Sequence, residues 1–369
     1  MRGRKLVIEL LVMHKNKAYG FQQYTLNLLD YFYAHRDKIL YDQIIVVCKV
    51  TEKELLFKYA DRFAIRSFRV YNNLHRIILQ TVLPFTLKLN GDDLLFSPGN
   101  TSGLIKRCQE ILVIHDLLFK RKEWVSNLIR WQRELYFPIS IRKANRIVAI
   151  SKFTASDLIN YYPSSKDKVE VIHSYMNFGK YAYFDNEIKL PNQFFLSVSI
   201  DTQYKNLPLI LRAFKQYCEA GGNMDLVLIT VVNTCSETRR VLNELPDRIR
   251  QRVYLKSHIS NKELAVLYKK ASCFISASLF EGFGMPIVEA MSFGCYVLLS
   301  DTAVHREVSF NKGIYFNPHS DEDLSEKMLG GTFLKQAYSA EILEMYSEDR
   351  TADRYVELIN RLYKSTEHF

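Results

Sequence analysis

Residues 272–301 read SCFISASLFEGFGMPIVEAMSFGCYVLLSD, and their pattern decides the fold. Cys273–Ser276 and Tyr296–Leu299 are short, apolar, β-prone runs, and between them lie a glycine-bearing loop and an apolar helical stretch, Pro286–Phe293. Strand, loop, helix and strand in that order make a parallel crossover unit. Pro286 suits the start of a helix, where its missing N–H leaves no acceptor unserved. Gly282 and Gly284 let the backbone approach a ligand closely. The loop thus offers N–H groups at the positive end of a helix, which suits phosphate or sugar oxygens, and it leaves the carboxyl end of a strand, where open parallel sheets bind ligands. Glu281 precedes the glycines, and Glu289 falls at the end of the first helical turn with its side chain leaning back toward the helix start, so that both face one ligand. Glu289 alone reads as a partner of the helix dipole. The pair, with two glycines and a proline between, reads as a site.

The same alternation extends in both directions. Upstream, candidate strands are Lys5–Leu11, Gln43–Val47, Leu94–Ser97, Ile111–Ile114, Arg146–Ile150 and Lys168–Ile172, with helical periodicity in Gln22–Arg36 and Arg76–Leu89. A polar, weakly periodic stretch, Asn177–Gln193, reads as an interdomain linker. The pattern then resumes with strand Phe194–Val198, helix Leu207–Ala220, strand Leu226–Ile229, helix Ser236–Glu244, strand Val253–Leu255 and helix Asn261–Ala271. An amphipathic final helix near 348–364 is placed to pack back on the first domain. The expected division is residues 1–178 plus the terminal helix, about 348–369, and residues 179–347.

A chain of 369 residues exceeds what one hydrophobic core usually supports. Its 48% hydrophobic and 24% charged residues exclude a disordered or collagen-like polymer. The six cysteines are scattered, with no CxxC and no zinc spacing, which points to a reducing cytoplasm. The basic and then apolar start reads as a first strand, and no apolar run approaches a membrane span. The net charge of +10 is lopsided: Lys and Arg number 30 against 18 acids in residues 1–190, and 20 against 22 in the remainder. A basic first half suits an anionic membrane surface, a phosphorylated acceptor or nucleic acid, or is a solvated face.

The run Glu281-Gly-Phe-Gly-Met-Pro-Ile-Val-Glu289-Ala-Met resembles the E-x7-E signature of retaining glycosyltransferases of family 4, which have the GT-B fold. Shorter matches accompany it at Gly20-Phe-Gln-Gln-Tyr24, Val113-Ile-His-Asp-Leu117, Val148–Thr154, Lys205-Asn206 and Ser300-Asp301. The resemblance implies two Rossmann-like parallel-sheet domains facing across a cleft. It implies that Glu281 touches donor sugar hydroxyls, that Glu289 binds the ribose, and that the backbone of Phe283, Gly284 and Met285 holds sugar and phosphate oxygens. Lys205 then neutralises the diphosphate leaving group, a role that chemistry also asks for, because negative charge develops there as the bond breaks. A cation at a helix start gains nothing from the dipole, which argues against a merely solvated Lys205. His115 is implied near the transferred sugar, Gly20 and Ile259 at the donor, and Ser151 and Lys152 in the cleft on the acceptor side. Ser199 and Tyr204 stand where many relatives carry a basic residue or glycine and an Arg, and Gln22 and Gln23 where Gly and Arg are common.

The implied reaction is transfer of a sugar from a nucleotide diphosphate to a glycan or lipid-linked glycan, in bacterial surface polysaccharide synthesis, with no cofactor and no metal. The expected place is the cytoplasm at the inner face of the membrane. A GT-B sugar phosphorylase or nucleotide-sugar epimerase is the alternative, and a nucleic-acid-binding protein a remote one, since no recognition helix or aromatic-basic motif is present. Arg121–Arg142, with Trp124 and Trp131 among arginines, reads either as a peripheral contact with an anionic membrane or, preferably, as a surface helix pair covering the first sheet, with Pro138 breaking or kinking the helix. Asp321-Glu-Asp323 reads as a helix cap rather than a metal motif.

Overall fold

The computed structural model describes residues 3–13, 20–175, 190–230, 235–257, 259–338 and 340–366. The chain divides into two compact units, Met1–Tyr175 with Glu348–Phe369, and Met176–Ser347. Of the expected linker, positions 177–189 lie outside the described residues.

In the first unit the order is β1 (Lys5–Glu9), α1 (Gly20–Ala34), β2 (Gln43–Lys49), β3 (Ala64–Phe68), α2 (Asn73–Thr86), β4 (Leu94–Ser97), β5 (Gln109–Ile114), α3 (Asn127–Lys143), β6 (Arg146–Ala149), α4 (Lys152–Tyr161) and β7 (Val169–Val171). The second unit runs β8 (Phe194–Val198), α5 (Leu207–Glu219), β9 (Asp225–Ile229), α6 (Ser236–Glu244), α7 (Asp247–Arg250), β10 (Val253–Lys256), α8 (Asn261–Lys270), β11 (Cys273–Ser276), α9 (Met285–Ser292), β12 (Tyr296–Ser300), α10 (Ala303–Val308), β13 (Ile314–Phe316), α11 (Asp321–Gly330) and α12 (Ala340–Glu344). Among the described residues the sheets are β3-β2-β1-β4-β5-β6-β7 and β10-β9-β8-β11-β12-β13. Every pairing is parallel, for example Ile8 with Val46 and Phe274 with Leu196.

Helices cover these sheets, so the inner strands are apolar on both sides, as Leu95, Val113, Phe195 and Leu298 are. The second unit's core gathers Phe195, Phe214, Leu228, Ile275 and Leu298. Its counterpart in the first unit includes Leu112, Ile114, Phe137 and Ile147.

Helix α13 (Glu348–Ser365) follows the second unit in the chain but belongs to the first. Its Tyr355 hydroxyl meets that of Tyr24, and its Asp353 accepts from the Tyr31 hydroxyl at 2.6 Å.

Two expectations need correction. Pro138 does not break the helix, because α3 continues through that proline. The lost N–H leaves the carbonyl of exposed Glu134 to water, so the helix survives. The cap of α11 is Ser320, whose side chain accepts from the Asp323 N–H, while Asp321, Glu322 and Asp323 fill the first turn.

Candidate active site

β8 and β11 are neighbours although β9 and β10 separate them in the chain, so strand order reverses between them. Loops leaving such a pair diverge to opposite faces and open a crevice. A small pocket, partly open to solvent, lies there. It is lined by Ser197, Val198 and Ser199 at the end of β8, by Ser276, Ala277 and Ser278 at the end of β11, and by Lys205, Glu281, Gly284, Pro286 and Ile287.

Lys205 ends a short 3-10 turn, Gln203–Lys205. Asn206 follows in a left-handed conformation at φ 55°, held by its side-chain amide donating to Pro318 O at 3.0 Å. The Leu279 N–H donates to Tyr204 O at 2.7 Å and ties this turn to the loop after β11. Lys205 Nζ consequently lies 2.5 Å from Glu281 Oε1, with both side chains only 14% exposed. Burial alone would push the Glu281 carboxyl up. The Lys205 ammonium outweighs it, with help from His305 and the Ser278 hydroxyl, and holds the group below its usual range.

Gly284 caps α9 at φ 95°, ψ 55°, a conformation costly for any side chain, whereas Gly282 has no positive φ. Phe283 is buried edge-on against Tyr346, their centroids 5.4 Å apart, so this residue offers a ligand its backbone. Met285 opens α9; Pro286 brings no N–H and the Ile287 N–H donates to Gly284 O at 3.0 Å, so of the first three positions the Met285 N–H is the donor without an acceptor inside the helix.

Glu289 lies outside the lining of that pocket. Its Oε2 accepts from the Tyr268 hydroxyl at 2.7 Å, and Tyr268 stacks on Phe293. Ile259 is half-buried just before α8, whose capping box pairs Ser260 with Glu263.

The remaining candidates belong to the first unit. His115 follows β5, between the rings of Phe21 and Tyr24 at 5.1 and 5.0 Å, each edge-on. Its Nε2 donates to Pro98 O at 2.7 Å, which leaves Nδ1 as the unprotonated nitrogen. Burial lowers its pKa, only partly offset by the Pro98 carbonyl and Asp116, which favours the neutral ring. Gly20 begins α1, and among the described residues, its chain neighbours and own helix backbone aside, no heavy atom lies within 4 Å of the site a Cβ would take. Ser151 is buried and its hydroxyl accepts from the Thr154 N–H at 2.9 Å as the cap of α4, while Lys152 is exposed at that helix's first position.

Two further groups gain weight in the structure: Ser199, marked in the sequence only as a departure from the family pattern, and His305, which carried no signal there. The Ser199 hydroxyl lines the pocket, buried without a hydrogen-bond partner. His305 on α10 is buried, its Nδ1 3.0 Å from Ser300 O and its Nε2 without a partner. Burial lowers the His305 pKa, Glu281 and the Ser300 carbonyl oppose that, and Lys205 adds to it. The Ser300-Asp301 match stood close to this histidine, but a lone histidine in a helical stretch carries no signal of its own.

Residues 182–330 match the family model for glycosyl transferases group 1. Over 185 residues the chain is 24% identical to the O-antigen chain mannosyltransferase RfbU of Salmonella typhimurium, covering half of each chain. Against the serotype-specific mannosyltransferase WbdA of Escherichia coli, identity is 27% over 256 residues, 64% of this chain and 31% of that one. The chain thus spans half or less of the length of these curated relatives. Sucrose-phosphate synthase from Thermosynechococcus elongatus superposes with a TM-score of 0.77 at 13% identity, covering 98% of this chain and all of that one. The Glu281–Glu289 segment lies inside the matched stretch, and both sheets have the Rossmann-like parallel order of the GT-B fold, so residues 182–330 belong to the glycosyl transferases group 1 family, within a chain of GT-B fold.

Proposed function

We propose that this chain is a retaining, nucleotide-sugar-dependent glycosyltransferase of surface polysaccharide synthesis, with a glycan or lipid-linked glycan as acceptor. The observation that carries the reading is the buried Lys205–Glu281 pair in a pocket at the strand-order reversal, beside the α9 N-terminus. A diphosphate entering there meets an ammonium, the backbone at the positive end of α9 and the unpartnered Ser199 hydroxyl, which together suit an anion.

In the reaction the bond from the anomeric carbon to the diphosphate oxygen breaks, and that oxygen keeps the electron pair. The acceptor hydroxyl oxygen bonds the same carbon, and its proton passes to the departing diphosphate. Lys205 and the positive end of α9 stabilise the charge that develops, and Glu281 orients donor hydroxyls. Glu289 holds the ribose through the carboxylate that Tyr268 now fixes. His115 belongs to the sugar and acceptor side. Retention follows from attack on the face the diphosphate leaves, a geometry that needs no carboxylate nucleophile and no metal. The mannosyltransferase names of RfbU and WbdA make mannosyl donors the first to test.

Calorimetric binding and product assays across nucleotide diphosphate sugars, with and without glycan acceptors, test this. Lys205→Ala is expected to lower kcat about 10²–10³-fold, the usual loss on removing one stabiliser of a developing oxyanion. Turnover needing inorganic phosphate would indicate a phosphorylase, and donor consumed without acceptor an epimerase. Unchanged binding and turnover in both Lys205→Ala and Glu289→Ala would sink the reading.

A further inference from the structure

Helix α2 is apolar on two sides: Leu79 and Leu83 pack on the core, and a second stripe faces outward. Its buried side carries Arg76 and Gln80 with Leu83 and Pro84, while Leu74, Ile78, Val82 and Phe85 are 68, 50, 41 and 45% exposed. Spacings of four, four and three place these apolar residues on one stripe. The inward polar side is satisfied, so the stripe is no misplaced core. Arg76 donates to Gln80 Oε1 and Thr101 Oγ1 at 3.1 Å each, and Gln80 Nε2 donates to Glu9 Oε2 at 2.7 Å.

Helix α3 presents a second stripe, Leu128, Trp131 and Leu135, at 65, 61 and 55% exposure. The segment after Asn100 joins the two helices. The Ser102 N–H and carbonyl meet Ser140 Oγ of α3 at 3.3 and 3.2 Å, and the Leu104 N–H donates to Thr81 Oγ1 of α2 at 3.0 Å. Gly103 lies so close to α2 that a Cβ there would fall 2.2 Å from Gln80 O. Leu104 and Ile105 add to the exposed apolar surface.

The charge around this surface is predominantly positive, the exception on α3 being Glu134, exposed beside Leu135 and paired with Lys120, against Arg130, Arg133 and Arg142 of the same helix. Between residues 62 and 109 the only acids are Asp92 and Asp93, the latter buried, against Arg62, Arg66, Arg69, Arg76, Lys88, Lys106 and Arg107. The Arg107 guanidinium lies 4.8 Å over the Phe85 ring, at the edge of the stripe, and Lys106 beside it is exposed. Apolar stripes fringed by cations fit a surface with an apolar interior and anionic rim. A second copy docked face to face would set these cations against each other.

We propose that α2, α3 and residues 101–107 form a membrane-docking face, in which Ile78, Phe85 and Trp131 enter the interfacial zone and Lys106 and Arg107 meet anionic phospholipid headgroups. This face lies in the first unit, so the inference stands or falls independently of the reading of the Lys205 pocket.

The test is co-sedimentation of the full chain with phosphatidylcholine vesicles, with and without phosphatidylglycerol. Wild type binds only the phosphatidylglycerol vesicles, less so as salt rises. Ile78→Glu with Trp131→Glu, and separately Lys106→Glu with Arg107→Glu, each lower partitioning roughly tenfold or more, at unchanged melting temperature and nucleotide-sugar binding. The same charge reversal at exposed Lys270 and Lys312 of the second unit leaves binding intact. Wild type remaining in the supernatant with both vesicles, or the apolar pair binding like wild type, overturns the proposal. So does a dimer in light scattering that Ile78→Glu dissolves, since a second copy then covers the face.

Discussion

Lys205 and Glu281 stand 76 residues apart in the chain and 2.5 Å apart in space. Each is costly to bury alone, so the pair keeps the pocket neutral until an anion arrives. Glu281→Gln is therefore expected to destabilise the protein by roughly 1–3 kcal/mol in urea denaturation, less than the ~3–5 kcal/mol for a fully buried pair. A diphosphate ligand then raises the melting temperature more in this variant than in wild type, because it supplies the missing counter-charge. Acid provides a second check. The Glu281 carboxyl is held below its ordinary 4.5, so the pair's stabilisation is complete above that value and fades as pH falls through the lower folded value. The Gln variant lacks that part of the acid dependence. Gly284→Ala forces a side chain into φ 95° beside Ile287 Cδ1, 3.1 Å away, and is expected to cost about 1–2 kcal/mol by the same denaturation assay. Glu281 and Gly284 were legible because their signal is local. The Lys205 contact, the orphaned Ser199 hydroxyl and His305 depend on which strands adjoin, and no spacing along the chain encodes that.

At the scale of elements, strands buried on both faces announce themselves, and Phe194–Val198 and Cys273–Ser276 were bounded correctly from apolar runs alone. The strand Ala64–Phe68 escaped because, among the described residues, it pairs only with β2 at the sheet edge, where half-exposed Ala64 and Ile65 sit beside Arg66 and Ser67. Ile314–Phe316 is too short to stand out. Helix α2 shows a subtler limit: periodicity gives the spacing of an apolar stripe but not which way it points. Here the choice is made by Glu9, which sits in the first sheet and takes Gln80 as its partner. Gly103→Ala tests how tightly this helix is held. Its Cβ would overlap the α2 backbone, so a loss of roughly 1–3 kcal/mol and faster amide exchange along Asn73–Thr86 are expected.

Across the whole molecule, the first unit is completed by a helix encoded beyond the second. Helix α13 buries Ala352, Tyr355, Val356, Leu358, Ile359 and Leu362. At about 1.5–3 kcal/mol for each large side chain, this exceeds the margin by which most domains stay folded. Truncation after Ser347 is therefore expected to leave residues 190–338 resistant to limited proteolysis while residues 20–175 become sensitive. Equal sensitivity of both would refute it. The sequence's amphipathic pattern marked this helix, but amphipathicity says only that it needs a partner surface, and Tyr24 and Tyr31 had to be placed before that surface existed. The return of α13 also sets a schedule for synthesis. At ~5–20 residues per second, a ribosome needs about 10–30 s to emit the segment between Tyr175 and Glu348. Throughout that interval the nascent first unit displays the side chains α13 will cover, so a holding chaperone has its longest engagement with the half that was made first.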